Sequence, residues 1–335
     1  MALASAYYVD ADQSDDSGIG TSWETAKRHL YAALALINEP LTASVTIHIK
    51  SGTTQENTGD CEVRGIKCIG SGVELIVQPD TWNDANYSDG AHDPFGTTGT
   101  GTFDPTTATY PVTLKLKMEF EDCYGVVLKG LKFDGTDDEA GPRAMAKAAV
   151  TTQYCCLVGS NAMSLSMFDS LLYAENGYFS ECNVGVVAIY NSQVQLVGDN
   201  TLNDCLVSGV HAAGNSLVVI RAWYEHPAHH TLDILTTSAR IKKYAALRAV
   251  AGSSLCVQDE SIHPSGYPFL AARVKVRDTS QALRPEYYGV ALASQSLLTG
   301  ADQITYTMKN ANGDIVAMPS GQQVITDDAK STVFD

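Results

Sequence analysis

Short apolar runs separated by glycine and asparagine dominate this chain, and between Glu181 and Ile220 one such pattern occurs twice. Cys182-Asn183-Val184-Gly185-Val186-Val187-Ala188-Ile189-Tyr190-Asn191-Ser192-Gln193-Val194-Gln195-Leu196 is followed by Cys205-Leu206-Val207-Ser208-Gly209-Val210-His211-Ala212-Ala213-Gly214-Asn215-Ser216-Leu217-Val218-Val219-Ile220. Gly185 and Gly209, Asn191 and Asn215, and Leu196 and Ile220 are each 24 residues apart. A repeat of this length is the mark of a solenoid whose units stack and bury a shared core. The runs are too short for helices and rich in β-branched residues, so each unit is predicted to be a turn of two or three short parallel strands. Asn191-Ser192 marks a corner, because Asn tolerates the left-handed backbone and its amide can bond the equivalent residue one turn away.

The pattern extends in both directions. Tyr7-Tyr8-Val9-Asp10 reads as a first strand, followed by an Asp/Ser/Gly loop to Gly20. A helix is predicted next, with Thr21 and Glu24 as a capping box, an apolar face of Ala26, Leu30, Ala33, Leu34 and Ile37, and Pro40 as its stop. Val45-Thr46-Ile47-His48-Ile49 alternates as a strand, and Val63-Arg64-Gly65-Ile66 and Val73 to Val77 read as early turns of the coil. Residues 79–111 interrupt it with loop chemistry such as Thr97-Thr98-Gly99-Thr100-Gly101-Thr102. Val112 to Leu116, Cys123 to Gly135 and Val150 to Phe168 resume the period, with Ser160-Asn161 at a corner. Gly214-Asn215-Ser216-Leu217 matches Gly252-Ser253-Ser254-Leu255 with an insertion around 221–245, and Tyr288 to Leu297 supplies a last match. Ile304 to Met308, Asn312-Gly313 and Ile315 to Ala317 predict a terminal hairpin that caps the coil or meets a partner.

The opening from Tyr7 through Trp23-Glu24-Thr25-Ala26 and the Leu30 to Ile37 segment to Gly52 resembles the N-terminal part of right-handed parallel β-helix proteins of the pectin-lyase-like superfamily. The resemblance implies an all-β right-handed parallel β-helix with an N-terminal helical cap over 1–52, a coil over 53–300 and a small C-terminal β element over 301–335. That superfamily includes polysaccharide lyases, glycoside hydrolases and phage tailspikes, so the resemblance specifies fold and leaves activity open.

Composition narrows the partners. With 22 Lys and Arg against 38 Asp and Glu, the net charge of −16 argues against a nucleic-acid surface. No apolar run reaches the ~20 residues of a membrane span, and Met1 to Ala6 lacks the basic and apolar regions of a signal peptide. Eight cysteines (Cys61, Cys68, Cys123, Cys155, Cys156, Cys182, Cys205, Cys256) are expected as buried free thiols, with Cys182 and Cys205 stacked in consecutive turns.

Candidate chemistry falls into four groups. Asp134, Asp137, Asp138 and Glu139, with Asp199 and Asp204 at another corner, are the carboxylates that could flank a glycosidic bond. Trp82, Tyr87, Trp223 and Tyr224 could stack on sugar rings. His226, His229 and His230, near Asp233, could bind zinc or supply a base, although Pro227 favours a loop. Asp10, Asp12, Ser14 and Asp16 alternate as in a calcium loop but lack its glycine and its twelfth-position glutamate, so no cofactor is expected and calcium is the one alternative. For a lyase, Arg221 and Lys242-Lys243 are the cations available as base, outside any recognisable motif.

The leading expectation is a virion or tail structural protein of phage type, homotrimeric, assembled in the cytoplasm without a signal peptide, and presenting a stiff surface for attachment to other virion proteins or a cell-surface glycan. The alternatives are a polysaccharide hydrolase or lyase on the same fold, and a bacterial surface protein that binds glycan without cleaving it.

Overall fold

The chain is a right-handed parallel β-helix. The computed structural model describes residues 3–37, 40–56, 61–83, 110–198, 200–221, 231–236, 245–257, 261–262, 268–269, 273–278, 288–299, 301–309, 314–326 and 331–333. Among these, three long sheets of eleven, nine and ten strands run the length of the coil, and each winding contributes one strand to each. The winding that begins at Ala149–Gln153 continues through Cys156–Val158 and Ser164–Met167 before the next begins at Leu171–Glu175.

Registers fix the stacking. Val184 pairs with Ser208 and Val186 with Val210, which sets Gly185 directly against Gly209. A Cβ on Gly185 would stand 2.8 Å from Leu202 Cδ2 and 3.0 Å from the Gly209 carbonyl oxygen, so glycine here permits close approach of strand and core. Along each strand every second residue points inward, and the inward rows are buried: Ile47, Val77, Leu128, Val150, Leu172, Val194, Val218 and Leu255 are all excluded from solvent. The opposite row of the nine-stranded sheet is small, with Ala144, Ser166, Ala188, Ala212 and Ala249 paired in sequence, which gives the larger rows room.

Corners carry the rest of the specification. Between the nine- and eleven-stranded sheets the windings from Ala146-Lys147 to Ser294-Gln295 turn on two successive left-handed residues, such as Phe168-Asp169, Tyr190-Asn191, Gly214-Asn215 and Ala251-Gly252. The serine that follows has an N–H facing along the coil axis, and the hydroxyl of the next winding's serine accepts it. Ser170 N–H donates to Ser192 Oγ (3.3 Å), Ser192 N–H to Ser216 Oγ (3.2 Å) and Ser216 N–H to Ser253 Oγ (3.1 Å). Serine, rather than the asparagine expected from sequence, therefore provides the ladder at these corners; the asparagines supply the left-handed backbone. The ladder also corrects the register after Ser216. Leu217 pairs with Ser254 and Val218 with Leu255, so Asn215 corresponds to Gly252 and the step is 37 residues, one less than the apolar match implies.

The N-terminus differs from expectation in its helix, which spans only Leu30–Leu34 and has no side-chain cap. Gly20 and Lys27 instead both bond the first strand, with a turn between them closed by Gly20 N–H on the Thr25 carbonyl: Tyr8 N–H donates to the Gly20 carbonyl, Lys27 N–H to the Tyr8 carbonyl and Asp10 N–H to the Lys27 carbonyl. These strand-like bonds outcompete the Thr21 capping box, while Ala26, Leu30, Ala33, Leu34 and Ile37 are still buried. At the other end Ile304–Lys309 and Ile315–Ala317 form the predicted antiparallel pair, and its Asn312-Gly313 turn lies outside the described residues. The coil then continues, because Val324–Thr326 and Thr332–Val333 add parallel strands to two of the sheets. Within the expected insertion after Arg221, Thr231–Thr236 is a strand of the ten-stranded sheet. Cysteines are free, and burial pushes the Cys61, Cys155, Cys156 and Cys205 thiols up to about 12, consistent with apolar packing roles.

Two substitutions test this packing. Gly185→Ala is expected to destabilise by about 1–3 kcal/mol, because both the facing carbonyl and Leu202 must yield. Ser216→Ala leaves the buried Ser192 N–H without its acceptor and is expected to cost about 1–3 kcal/mol. Both are read from urea midpoints, and a change under about 0.5 kcal/mol in either would contradict the corresponding contact.

Candidate functional site

Outward-facing rows of the three sheets are where chemistry can reside, since the inward rows are filled. On the nine-stranded sheet one outward row runs Glu62, Glu119, Arg143, Leu165, Val187, His211 and Arg248, and a parallel row runs Arg64, Glu121, Met145, Met167 and Ile189. The N-terminal part of this face is hollowed into a concavity of about 230 Å³ lined by Glu62, Arg64, Glu119, Glu121, Met145, Ala146 and Phe168.

Strand geometry sets its carboxylates. Glu119 and Glu121 are alternate residues of Lys117–Glu121 and share a face, with Cα atoms ~7 Å apart. Glu62 stands opposite Glu119 on the neighbouring strand. Arg64 bridges Glu62 (3.1 Å) and Glu121 (3.0 Å), while Arg143 reaches Glu119 (3.3 Å) and Glu139 (2.8 Å) and Lys117 reaches Glu119 (3.3 Å). The result is a polar floor of alternating charge beside an apolar wall of Met145, Ala146 and Phe168.

Further along the same row His211 faces outward between Val187 and Arg248. Burial, with Arg248 beside it, lowers its imidazole from 6.5 to about 4, and its Nδ1 has no hydrogen-bond partner among the described residues.

A second polar row lies outside the eleven-stranded sheet, where His48, Gln78, Lys129, Gln153, Glu175, Val197 and Arg221 follow one another from strand to strand. It is unusually buried for an outer face, with Lys129 at 9% and Glu175 at 4% exposure. Gln153 Nε2 donates to Glu175 Oε2 (2.9 Å), and Lys129 Nζ sits 5.7 Å over the Trp82 ring. Trp82, expected as an exposed sugar platform, is itself 7% exposed and packs at 6.1 Å on Tyr154.

The other candidates separate. Asp134 faces outward on the ten-stranded sheet. Partial burial works against its charge, but hydrogen bonds from the Thr136 hydroxyl (2.6 Å) and N–H (3.1 Å), with Lys132 and Lys115 near, outweigh it and hold the carboxyl below its usual range. Asp137 and Asp138 are exposed on the loop that follows. Asp204 occupies a left-handed corner in the row Gly135, Gly159, Glu181 and Asp204, three strand steps and about 14 Å from Asp134, beyond the separation of either hydrolytic geometry. Asp199, Tyr87, Trp223, Tyr224, His226, His229 and His230 lie outside the described residues. In the Asp-rich loop, Asp10 and Asp12 both meet Lys50 (2.8 and 3.2 Å) and Asp16 meets His29 (2.7 Å), so these carboxylates are engaged by protein side chains. Among the described residues no cluster of three or more His, Cys, Asp or Glu is placed to hold a metal, and no helix is long and apolar enough to cross a membrane.

Glu62, Arg64, Glu119, Glu121 and Phe168 were not singled out from sequence. The alternation in Lys117-Met118-Glu119-Phe120-Glu121 does mark an outward face. Its juxtaposition with Glu62, 57 residues earlier, depends on register across the 79–111 insertion.

The fold and these outward rows define a parallel β-helix with a polar cleft on one face. No protein-family profile matches the chain, and no curated protein matches it. Solved structures similar to it include a lacto-N-biosidase from Eubacterium ramulus, with 11% identity and a TM-score of 0.39 over 98% of this chain and 68% of that one. A pectin methylesterase variant in complex with a hexasaccharide is similar at 8% identity and a TM-score of 0.32, over 99% of this chain and 90% of that one. The A-module of an Azotobacter vinelandii mannuronan C-5 epimerase is similar at 11% identity and a TM-score of 0.24, over 87% and 91%. Likenesses this low add no argument about chemistry, and the coil stands on its own registers.

The His211 geometry predicts a pH dependence of stability. The native imidazole stays neutral down to about 4, whereas the unfolded one takes up its proton near 6.5. As pH falls from 6.5 towards 4 the unfolded chain binds more protons, so stability present above 6.5 is progressively lost across that window. Between pH 7.5 and 4.5 the urea midpoint of the native protein is expected to fall relative to that of H211Q; a difference independent of pH would contradict the assignment.

Proposed function

We propose that this protein is carbohydrate-active and engages a polysaccharide in the cleft on the nine-stranded sheet. The observation that carries this reading is the pairing, in one cleft, of two same-face carboxylates with an apolar aromatic wall. Glu119 and Glu121, two residues apart on one strand, can set their carboxyl groups within the ~6.5–9.5 Å used by inverting glycoside hydrolysis, one as proton donor to the leaving oxygen and one as base for water. Arg143 and Arg64 hold the two carboxylates in place and would bond sugar hydroxyls. This favours the glycan-processing alternative over the phage-tail reading.

A second reading is favoured by a different observation. Each carboxylate of the cleft faces a guanidinium or ammonium group, an arrangement suited to accepting hydrogen bonds from sugars rather than to donating a proton. In that reading the protein binds glycan without cleaving it, as an attachment module of a virion or a cell surface.

Incubation with a panel of bacterial and plant polysaccharides separates the two. Hydrolysis predicts release of reducing ends, reduced by about 10²–10⁴-fold in E119Q or E121Q. Binding without release, weakened in the same variants, supports the attachment reading. Neither binding nor release by the native protein, or variants indistinguishable from it, would contradict the cleft as the functional site.

A further inference from the structure

The corner row that borders the cleft reads Asp122, Ala146, Phe168, Tyr190, Gly214, Ala251 and Ser294, each one winding from the next and each with a left-handed backbone. Most of its members are small, so the turn itself requires no ring. Yet Phe168 and Tyr190 occupy it with aromatic side chains that remain 46% and 54% exposed. Their rings lie parallel, 6° between planes and 5.1 Å between centroids, close to the ~4.8 Å spacing of the strands that carry them. Rings stacked along the coil axis present their faces to the neighbouring windings. Tyr190 backs one face of Phe168. On the other side the row offers only the Ala146 methyl, and that space belongs to the cleft, since Ala146 and Phe168 both line it.

We propose that the gap over Ala146 is a subsite for one pyranose ring, which takes the third place in the Tyr190–Phe168 stack. This rests on the reading of the cleft as a glycan site and names the residue that selects and orients the sugar. The chemistry is complementary on both sides. The negative face of the Phe168 ring attracts the C–H hydrogens of a sugar face, and the Arg64–Glu121 pair at the floor supplies donors and an acceptor for equatorial hydroxyls. Charge limits the sugar. Among the residues that line the cleft three are carboxylates, Glu62, Glu119 and Glu121, against the single cation Arg64, and the whole chain carries −16, so the ligand is a neutral sugar and not a uronate.

Calorimetry with cellohexaose, xylohexaose, chitohexaose and hexagalacturonate tests this. At least one neutral hexasaccharide is expected to bind about tenfold or more tightly than hexagalacturonate, and F168A to weaken it about tenfold, while F168W retains it. A146F is the sharper variant. Phe168 and Tyr190 already place rings on the same backbone geometry one and two windings away, so the substitution extends the stack, fills the subsite and blocks binding with the coil intact, as thermal unfolding would show. Binding unchanged in both F168A and A146F overturns the subsite; if E119Q or E121Q still weakens polysaccharide binding or release, the cleft reading survives that failure. Preference for hexagalacturonate overturns the choice of a neutral sugar, and failure of all four probes overturns the subsite. A native dimer that F168A converts to monomer in light scattering would show that the rings seat a second copy instead.

Discussion

Main-chain hydrogen bonding between successive windings, in strict register, is the constraint on which this molecule depends. Parallel strands have no local hairpin to align them, so the register must be set by what happens inside the coil and at its corners. Inside, each strand presents alternate residues to a narrow shared core, where a slip by one residue would exchange Val186 and Ala188 for Val187 and Ile189. At the corners, paired left-handed residues turn the chain from one sheet into the next and the serine hydroxyls close the main-chain bonding that the turn would leave open. Core and corner thus specify the same stacking independently.

That arrangement leaves the outer rows free of folding duties, and the three sheets use this freedom differently. On the nine-stranded sheet the N-terminal windings carry charged residues that pair across strands, and the central ones carry Leu165 and Val187. Outside the eleven-stranded sheet the polar row is drawn into low exposure around Trp82 and Lys129. A glycan, long, repetitive and amphipathic, suits a surface that repeats every ~4.8 Å along its axis, and the cleft beside Phe168 combines hydrogen-bonding floor with aromatic wall in one place.

Much of the fold is legible in the residues themselves. Gly185 and Gly209, with Asn191 and Asn215, announce the winding length because close approach and left-handed corners admit few other residue types. The serine ladder was less legible, because a serine beside an asparagine reads as ordinary turn chemistry until the next winding is in place. At Ser216 the apolar match of Leu217 to Leu255 misplaced the register by one residue, since Gly252 had replaced asparagine at the corner. The helix expected from Thr21 was local propensity overruled by long-range pairing of Gly20 and Lys27 with the first strand. The cleft was hidden for a related reason. Its residues come from strands 57 and 24 positions apart in sequence, at Glu62, Glu119 and Arg143, and only register makes them neighbours.

The register can be measured directly with one substitution. Val219 stands opposite the native Cys256 on the adjacent strand, although 37 residues separate them in sequence. In V219C a short bis-methanethiosulfonate reagent is expected to link the new thiol to Cys256 within one chain, identified by mass spectrometry of the joined peptides. Absence of that link under conditions that label both thiols singly, or a link to a cysteine two windings away, would contradict the stacking from which the coil, its corners and the cleft all follow.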